Sequence, residues 1–290
     1  MIARRSCLSV PGSAERMLSK LGTLDADEFV LDLEDAVALP AKDDARRLVA
    51  STLRRSLRGT LSVRVNAPRS PWCHRDVIAL ADPDVRLESI VVPKVESAGD
   101  LAFVERLLDG AEAAAGRDAP IRLQALIETA AGLSRVQEIA AASPRLDALI
   151  LGYADLGAAL GRSARGAQDL ETWRPAQEAL LLAARAHGLQ AIDGPYLGTA
   201  PDSGFEAAAR RARDLGFDGK WAIHPSQLGM LTELFTPSAD EVERAQAVVT
   251  VLEQAEREGR GAVAFEGEMV DEAVRVAALR TIARAAAGTR

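Results

Sequence analysis

The sequence predicts an α/β fold, a (β/α)8 barrel followed by a C-terminal helical extension. Two observations carry this. Eight short apolar runs alternate with Ala-rich segments whose apolar residues recur every three or four positions, the pattern of βαβ units and a parallel sheet. The 290 residues exceed the roughly 250 of such a barrel by about a helical extension. An open doubly wound sheet is the competing topology.

The first run, residues 7–10, ends in Val10-Pro11-Gly12-Ser13, a turn into a helix; its free amides suit an anion, although a plain turn is the simpler reading. No GxGxxG follows, as a dinucleotide-binding sheet would require. The second run, 28–33, precedes helical spacing over 41–57. Runs three and four fall at 61–65 and 89–92, with a helix over 101–115 after the latter. Run five is 121–127 and run six 146–151. An extended loop over 162–169 then leads to a helix at 173–187. Run seven, 189–192, is followed by a helix at 205–215 and run eight, 217–223. The barrel is expected to occupy residues 1–235. The extension, 236–290, contains a charged, Gly-bearing connector at 256–267 and a final helix at 271–287 that a barrel does not need.

Composition narrows the function. A net charge of −7 and 4% aromatic residues argue against nucleic acid, which calls for a basic face and stacking platforms. No apolar run approaches the roughly 20 residues of a membrane span, and Met1-Ile2-Ala3-Arg4-Arg5 leads into no signal-like apolar stretch. A soluble, cytoplasmic protein without membrane partners is expected. Cys7 and Cys73 stand far apart with no CxxC or histidine cluster, so they read as ordinary small residues rather than a disulfide or zinc site.

In a (β/α)8 barrel the active site forms at the C-terminal strand ends. The polar residues closing the runs are Asp32, Glu34 and Asp35; Arg64 and Asn66; Lys94; Glu128; Asp155; Asp193; and His224. Together they describe a polar mouth for a metal and an anion. Glu128 and Asp155 each follow an apolar run, and ionised carboxylates are costly to desolvate without a partner. A shared hard cation, Mg2+ first, satisfies both. The bland alternatives are a helix cap for Glu128 and an arginine partner for Asp155. Asp32 and Asp193 equally suit loop amides, Lys94 a structural pair with Glu34 or Glu96, and His224 a hydrogen-bonded strut. His74 and His187 read as surface residues. Arg64 is the stronger anion ligand, since a guanidinium offers a carboxylate two parallel hydrogen bonds.

These residues carry a family pattern. From Arg5-Ser6 to Val10-Pro11-Gly12, then Leu31-Asp32-Leu33-Glu34-Asp35-Ala36-Val37 with Lys42 and Ala45-Arg46, Arg64-Val65-Asn66 and Val92-Pro93-Lys94-Val95-Glu96, the chain resembles the citrate lyase β-subunit-like family of CoA-ester lyases. The likeness continues through Ile127-Glu128-Thr129-Ala130, Leu151-Gly152-Tyr153-Ala154-Asp155-Leu156 and the segment from Gly216 to Gln227, covering residues 4 to 250 in order. That family includes malyl-CoA and citramalyl-CoA lyases and belongs to the Mg2+-dependent aldolases with a phosphoenolpyruvate/pyruvate-binding type of barrel. The resemblance implies Glu128 and Asp155 as ligands of Mg2+, or of Mn2+ in its place, and Arg64 as the holder of a 2-keto acid carboxylate. Backbone amides after Gly152, including that of Ala154, would meet the same acid, with Lys94 beside it. Glu34 and Asp35 would orient metal-bound water and Lys94.

The resemblance also implies that a thioester enolate is protonated by an aspartate on a C-terminal lid of a neighbouring subunit. Gly267-Glu268-Met269-Val270-Asp271 matches that lid and nominates Asp271, although Glu268 replaces a more usual basic residue and Ala273 a common proline. An N-cap role for Asp271 is compatible with it. A homotrimer or homohexamer is implied. Arg4, Arg5, Lys20, Lys42 and Arg46 are the basic candidates for the CoA moiety. The expected activity is Mg2+-dependent cleavage or condensation of a 3-hydroxyacyl-CoA, giving an acyl-CoA and a 2-keto acid. A malyl-CoA thioesterase using the same site and the β subunit of a citrate lyase complex are the alternatives.

Overall fold

The structure, a computed structural model, describes residues 2–163 and 169–287. Eight parallel strands close in sequence order into a barrel, with β1 also paired to β8. They are β1 (Ser6–Pro11), β2 (Glu28–Asp32), β3 (Thr60–Arg64), β4 (Ser89–Val92), β5 (Arg122–Ile127), β6 (Leu146–Leu151), β7 (Gln190–Asp193) and β8 (Gly219–Ala222). All eight expected strands are present. The last, expected over 217–223, is shorter at both ends; just before it the Asp218 carboxylate accepts the Ala191 N–H at 2.9 Å. The expected helices are also present, as Lys42–Leu53, Ala98–Ala115, Arg174–Ala186 and Ser203–Leu215. The second of these starts earlier than expected, because Ser97 and Asp100 form a capping box.

Alternate residues of a strand face the interior, and here they form three levels. The middle level is apolar: Cys7, Val30, Val91, Leu126, Ala148, Ile150, Ile192 and Trp221 pack as one buried cluster. Below it, at the N-terminal strand ends, the interior is polar. Gln124 Nε2 donates to Glu28 Oε1 and to Ser89 Oγ, each at 2.7 Å. Arg4 Nε lies 3.2 Å from Glu28 Oε2, with both side chains fully buried, and Arg4 Nη2 lies 3.0 Å from Asp147. Above the middle level the chain's charged strand ends gather.

Of the loop expected at 162–169, residues 164–168 lie outside the described residues. Arg162 stacks on Trp173 at 4.0 Å and donates to Thr172 Oγ1 at 2.6 Å. Both expected histidine surface positions, His74 and His187, are exposed, and Cys7 and Cys73 are buried free thiols.

The chain divides into two compact units, Arg4–Thr232 and a second made of residues 1–3 with Glu233–Arg290. In the second unit the helices Ala239–Arg257 and Glu272–Ala287 pack through Ala245, Val248, Leu252, Val270 and Ala278. The expected connector at 256–267 is partly an antiparallel hairpin, β9 (Val263–Phe265) with β10 (Glu268–Val270). Its two-residue turn holds Glu266 at φ 50° and Gly267 at φ 84°, the left-handed pair that matches strand twist. Arg244 secures it, pairing with Glu266 and, at 2.7 Å, with Glu268. Among the described residues no helix is long and apolar enough to cross a membrane.

Candidate active site at the barrel mouth

Glu128 follows β5 two residues after the inward Leu126, so the pleat turns its carboxylate into the mouth. It is 2% exposed. Its Oε1 accepts the Lys94 N–H at 2.9 Å. Burial, reinforced by the nearby charges of Glu34 and Asp155 and only partly offset by Arg64 and Lys94, pushes its pKa up to about 8. Asp155 comes from the first turn of the helix Tyr153–Ala159, which begins directly beyond Gly152 at the end of β6. A Cβ on Gly152 would lie 2.7 Å from Glu128 Oε2, so only glycine lets the two strand ends approach. The first-turn amides of that helix, Ala154 among them, have no intrahelical acceptor.

Arg64 closes β3 opposite. Its Nε and Nη2 donate to the two carboxylate oxygens of Asp32 at 2.7 and 2.6 Å, and its Nη1 lies 3.1 Å from Glu34 Oε2. Burial alone would lower its pKa, but Asp32 and Glu34 outweigh that and raise it. Asp32 therefore does both jobs open to it, since it also takes the Glu34 N–H at 2.8 Å. Lys94 holds the remaining edge: its ammonium pairs with Glu34, sits 3.0 Å from Asp35 and 3.8 Å from Asp155. Burial pushes the Glu34 carboxyl up despite Arg64 and Lys94. For Asp35 burial acts the same way, but Lys94 prevails and holds it below the usual range.

Not every strand-end residue converges. Asn66 turns away to Asp76, donating from Nδ2 at 2.7 Å. Asp193 follows the inward Ile192 by a single residue, so it points outward, where it receives Lys220 and the Tyr153 hydroxyl. His224 is the strut of the bland reading: its Nδ1 accepts the Ser226 N–H at 3.2 Å and caps a short helix. The proposed basic patch is dispersed. Arg4 and Arg5 pair with Glu28 and Asp27 at the opposite end of the barrel, Lys42 donates to the Leu33 and Glu34 carbonyls at 2.8 and 2.7 Å, and Arg46 binds Asp76 at 2.6 Å. Lys20 remains exposed. Asp271 lies in the second unit, where its Oδ1 accepts the Ala273 N–H at 3.0 Å and caps the last helix.

Sequence reasoning missed the cluster of Tyr153, Asp193, Lys220 and Gln177 behind the wall. Gln177 Nε2 donates to the Tyr153 hydroxyl at 2.7 Å, and the Lys220 ammonium reaches the Gly194 carbonyl at 2.6 Å. The available signal was a lysine inside an apolar strand run, which demands a buried partner.

Among the described residues no three His, Cys, Asp or Glu side chains group as metal ligands. The donors present nevertheless suit a hard divalent ion. The five carboxylates of Asp32, Glu34, Asp35, Glu128 and Asp155 share three nearby cations, Arg64, Lys94 and Lys42, and so leave a surplus of negative charge. Mg2+ commonly takes one or two protein carboxylates and completes its shell with water and substrate oxygens. Glu128 and Asp155 fit that demand.

The model of the HpcH/HpaI aldolase/citrate lyase family matches residues 5–225. The L-malyl-CoA/beta-methylmalyl-CoA lyase of Rhodobacter capsulatus is 40% identical over 279 residues, 90% of this chain and 88% of that protein. The (3S)-malyl-CoA thioesterase of Cereibacter sphaeroides is 40% identical over 285 residues, 98% of this chain and 95% of the relative. Among solved structures, CitE of Mycobacterium tuberculosis in complex with magnesium, acetoacetate and coenzyme A has a TM-score of 0.77 at 33% identity, covering 98% of each chain.

Proposed function

Because the chain belongs to the HpcH/HpaI aldolase/citrate lyase family, we propose that its barrel mouth is the active site of a Mg2+-dependent carbon–carbon lyase. Its substrate is a 3-hydroxyacyl-CoA such as malyl-CoA or citramalyl-CoA, which it cleaves to an acyl-CoA and a 2-keto acid, or forms from them. The observation that carries this reading is Glu128, a buried carboxylate raised to about 8 beside Asp155 in a cluster short of positive charge. A divalent ion held by Glu128 and Asp155, Mg2+ or Mn2+, supplies Lewis-acid stabilisation of the keto or alkoxide oxygen.

The chain's own residues supply the rest. Arg64, oriented by Asp32 and Glu34, binds the carboxylate of the keto acid portion. Lys94 and the amides after Gly152 hold the same end. Asp35 and Glu34 orient Lys94 and water. Cleavage passes the hydroxyl proton to the water that Asp35 and Glu34 orient, breaks the carbon–carbon bond and leaves a thioester enolate, whose carbon then needs a proton. Asp271, from the lid of a neighbouring subunit, gives that proton; the working form is then a cytoplasmic homo-oligomer, a trimer or hexamer. Its capping contact is compatible with this, since only one carboxylate oxygen is engaged with backbone.

The thioesterase outcome is the second reading, favoured by the fuller mutual coverage of the thioesterase relative. Both readings share the metal site but break different bonds: the lyase cleaves the carbon–carbon bond, whereas the thioesterase leaves it intact and adds water to the thioester. Purified protein incubated with malyl-CoA and Mg2+ releases glyoxylate and acetyl-CoA if it is a lyase, and free malate with CoA if a thioesterase. Glu128→Ala and Asp155→Ala are expected to abolish either product, and Mg2+-dependent turnover surviving in both would refute the site.

A further inference from the structure

Lys94 contacts both proposed metal ligands. Its N–H donates to Glu128 at 2.9 Å and its ammonium lies 3.8 Å from Asp155, while also bridging Glu34 and Asp35. It does so from a backbone at φ 51°, a left-handed conformation that a long side chain adopts rarely and keeps only where its surroundings enforce it. The peptide between Pro93 and Lys94 must turn this way for the N–H to meet Glu128 while the side chain crosses to Glu34. A lysine serving only as a surface partner of Glu34 would need neither contact.

The geometry points to Lys94 as a built-in counter-cation of the metal site: it holds the carboxylates together when no divalent ion is bound, and it couples binding of the ion to binding of the anionic keto acid. This rests on the reading that Glu128 and Asp155 hold the ion. The physical argument is one of signs. A fixed positive charge this close to Asp155 repels an incoming divalent cation, so it weakens binding of the ion alone. The same charge attracts the carboxylate of the keto acid, so it strengthens the second step. Glu34 and Asp35, which hold the ammonium in place, set how strongly each effect is felt. Lys94 is thus a positioning residue whose charge acts oppositely on the two ligands.

The test is calorimetric titration of the full-length protein, first with MgCl2 and then with pyruvate at saturating MgCl2. Lys94→Met and Lys94→Asn, the latter at ease in the left-handed region, are expected to bind Mg2+ about tenfold or more tightly than the parent, and pyruvate about tenfold or more weakly. Lys94→Arg keeps the charge and should stay near the parent in both. Unchanged or weakened Mg2+ binding in both neutral variants overturns the inference, because a merely structural lysine would lower both affinities together. Failure of the underlying site reads differently: the parent would bind no Mg2+, or Glu128→Gln would bind it as the parent does.

Discussion

Glu128→Gln should make the metal-free protein more stable at alkaline pH while removing the proposed Mg2+ site. The carboxyl titrates near 4.5 in the unfolded chain and at about 8 in the fold. A group that binds its proton more tightly when folded favours the fold fully below 4.5, and that advantage is lost as pH rises to 8. At roughly 1.4 kcal/mol per pH unit, the ionised carboxylate costs the metal-free fold up to ~5 kcal/mol by pH 8 to 9. Glutamine keeps an acceptor for the Lys94 N–H and carries no charge. Urea unfolding from pH 5 to pH 9 without metal should therefore show parental stability falling with pH and the variant nearly flat, the variant being more stable by ~2–5 kcal/mol at the upper end. Added MgCl2 should restore the parent and leave the variant unmoved. A variant less stable than the parent at pH 8 to 9 without metal would refute the electrostatic account of the site.

Gly152→Ala places a methyl group 2.6 Å from the Glu128 Cβ; calorimetry should show Mg2+ binding lost, with the fold weakened by only ~1–3 kcal/mol. Tyr153→Phe deletes the hydroxyl shared by Asp193 and Gln177 and should cost ~1–3 kcal/mol in urea unfolding. It should also weaken Mg2+ binding several-fold by loosening the turn that carries Asp155; native Mg2+ affinity in that variant would show the turn needs no such anchor. At the other end of the barrel, Glu28→Ala leaves the buried Arg4 short of a partner and should lower stability by ~3–5 kcal/mol, read from the unfolding midpoint.

The strands were legible because their signal is local. Each apolar run bounded by turn chemistry became a strand, and the residues two places beyond an inward apolar side chain, Asp32 after Val30 and Glu128 after Leu126, entered the mouth as period two requires. Asp193 shows where a list of strand ends falls short: one residue past Ile192 instead of two, it faces the helices and Lys220. The hairpin at Val263–Phe265 and Glu268–Val270 was hidden because Glu266-Gly267 lacks the Asn-Gly or Asp-Gly signature of such turns. The buried polar level of Arg4, Glu28 and Gln124 was hidden too, since each lies far in sequence from the groups that satisfy it.

By itself the sequence determined the eight-stranded α/β barrel and the family pattern and nominated the pair Glu128 and Asp155, because periodicity and motif spacing act over a few residues. Only the tertiary structure decided the pairings. Closure of the barrel brings the ends of β2 and β3 and Lys94, two residues past β4, to one edge of the mouth, so Asp32 and Glu34 claim Arg64 while Lys94 spans Glu34, Asp35 and Asp155. Charges are matched through space, and which carboxylate meets which cation depends on strand order and pleat direction rather than on distance along the chain.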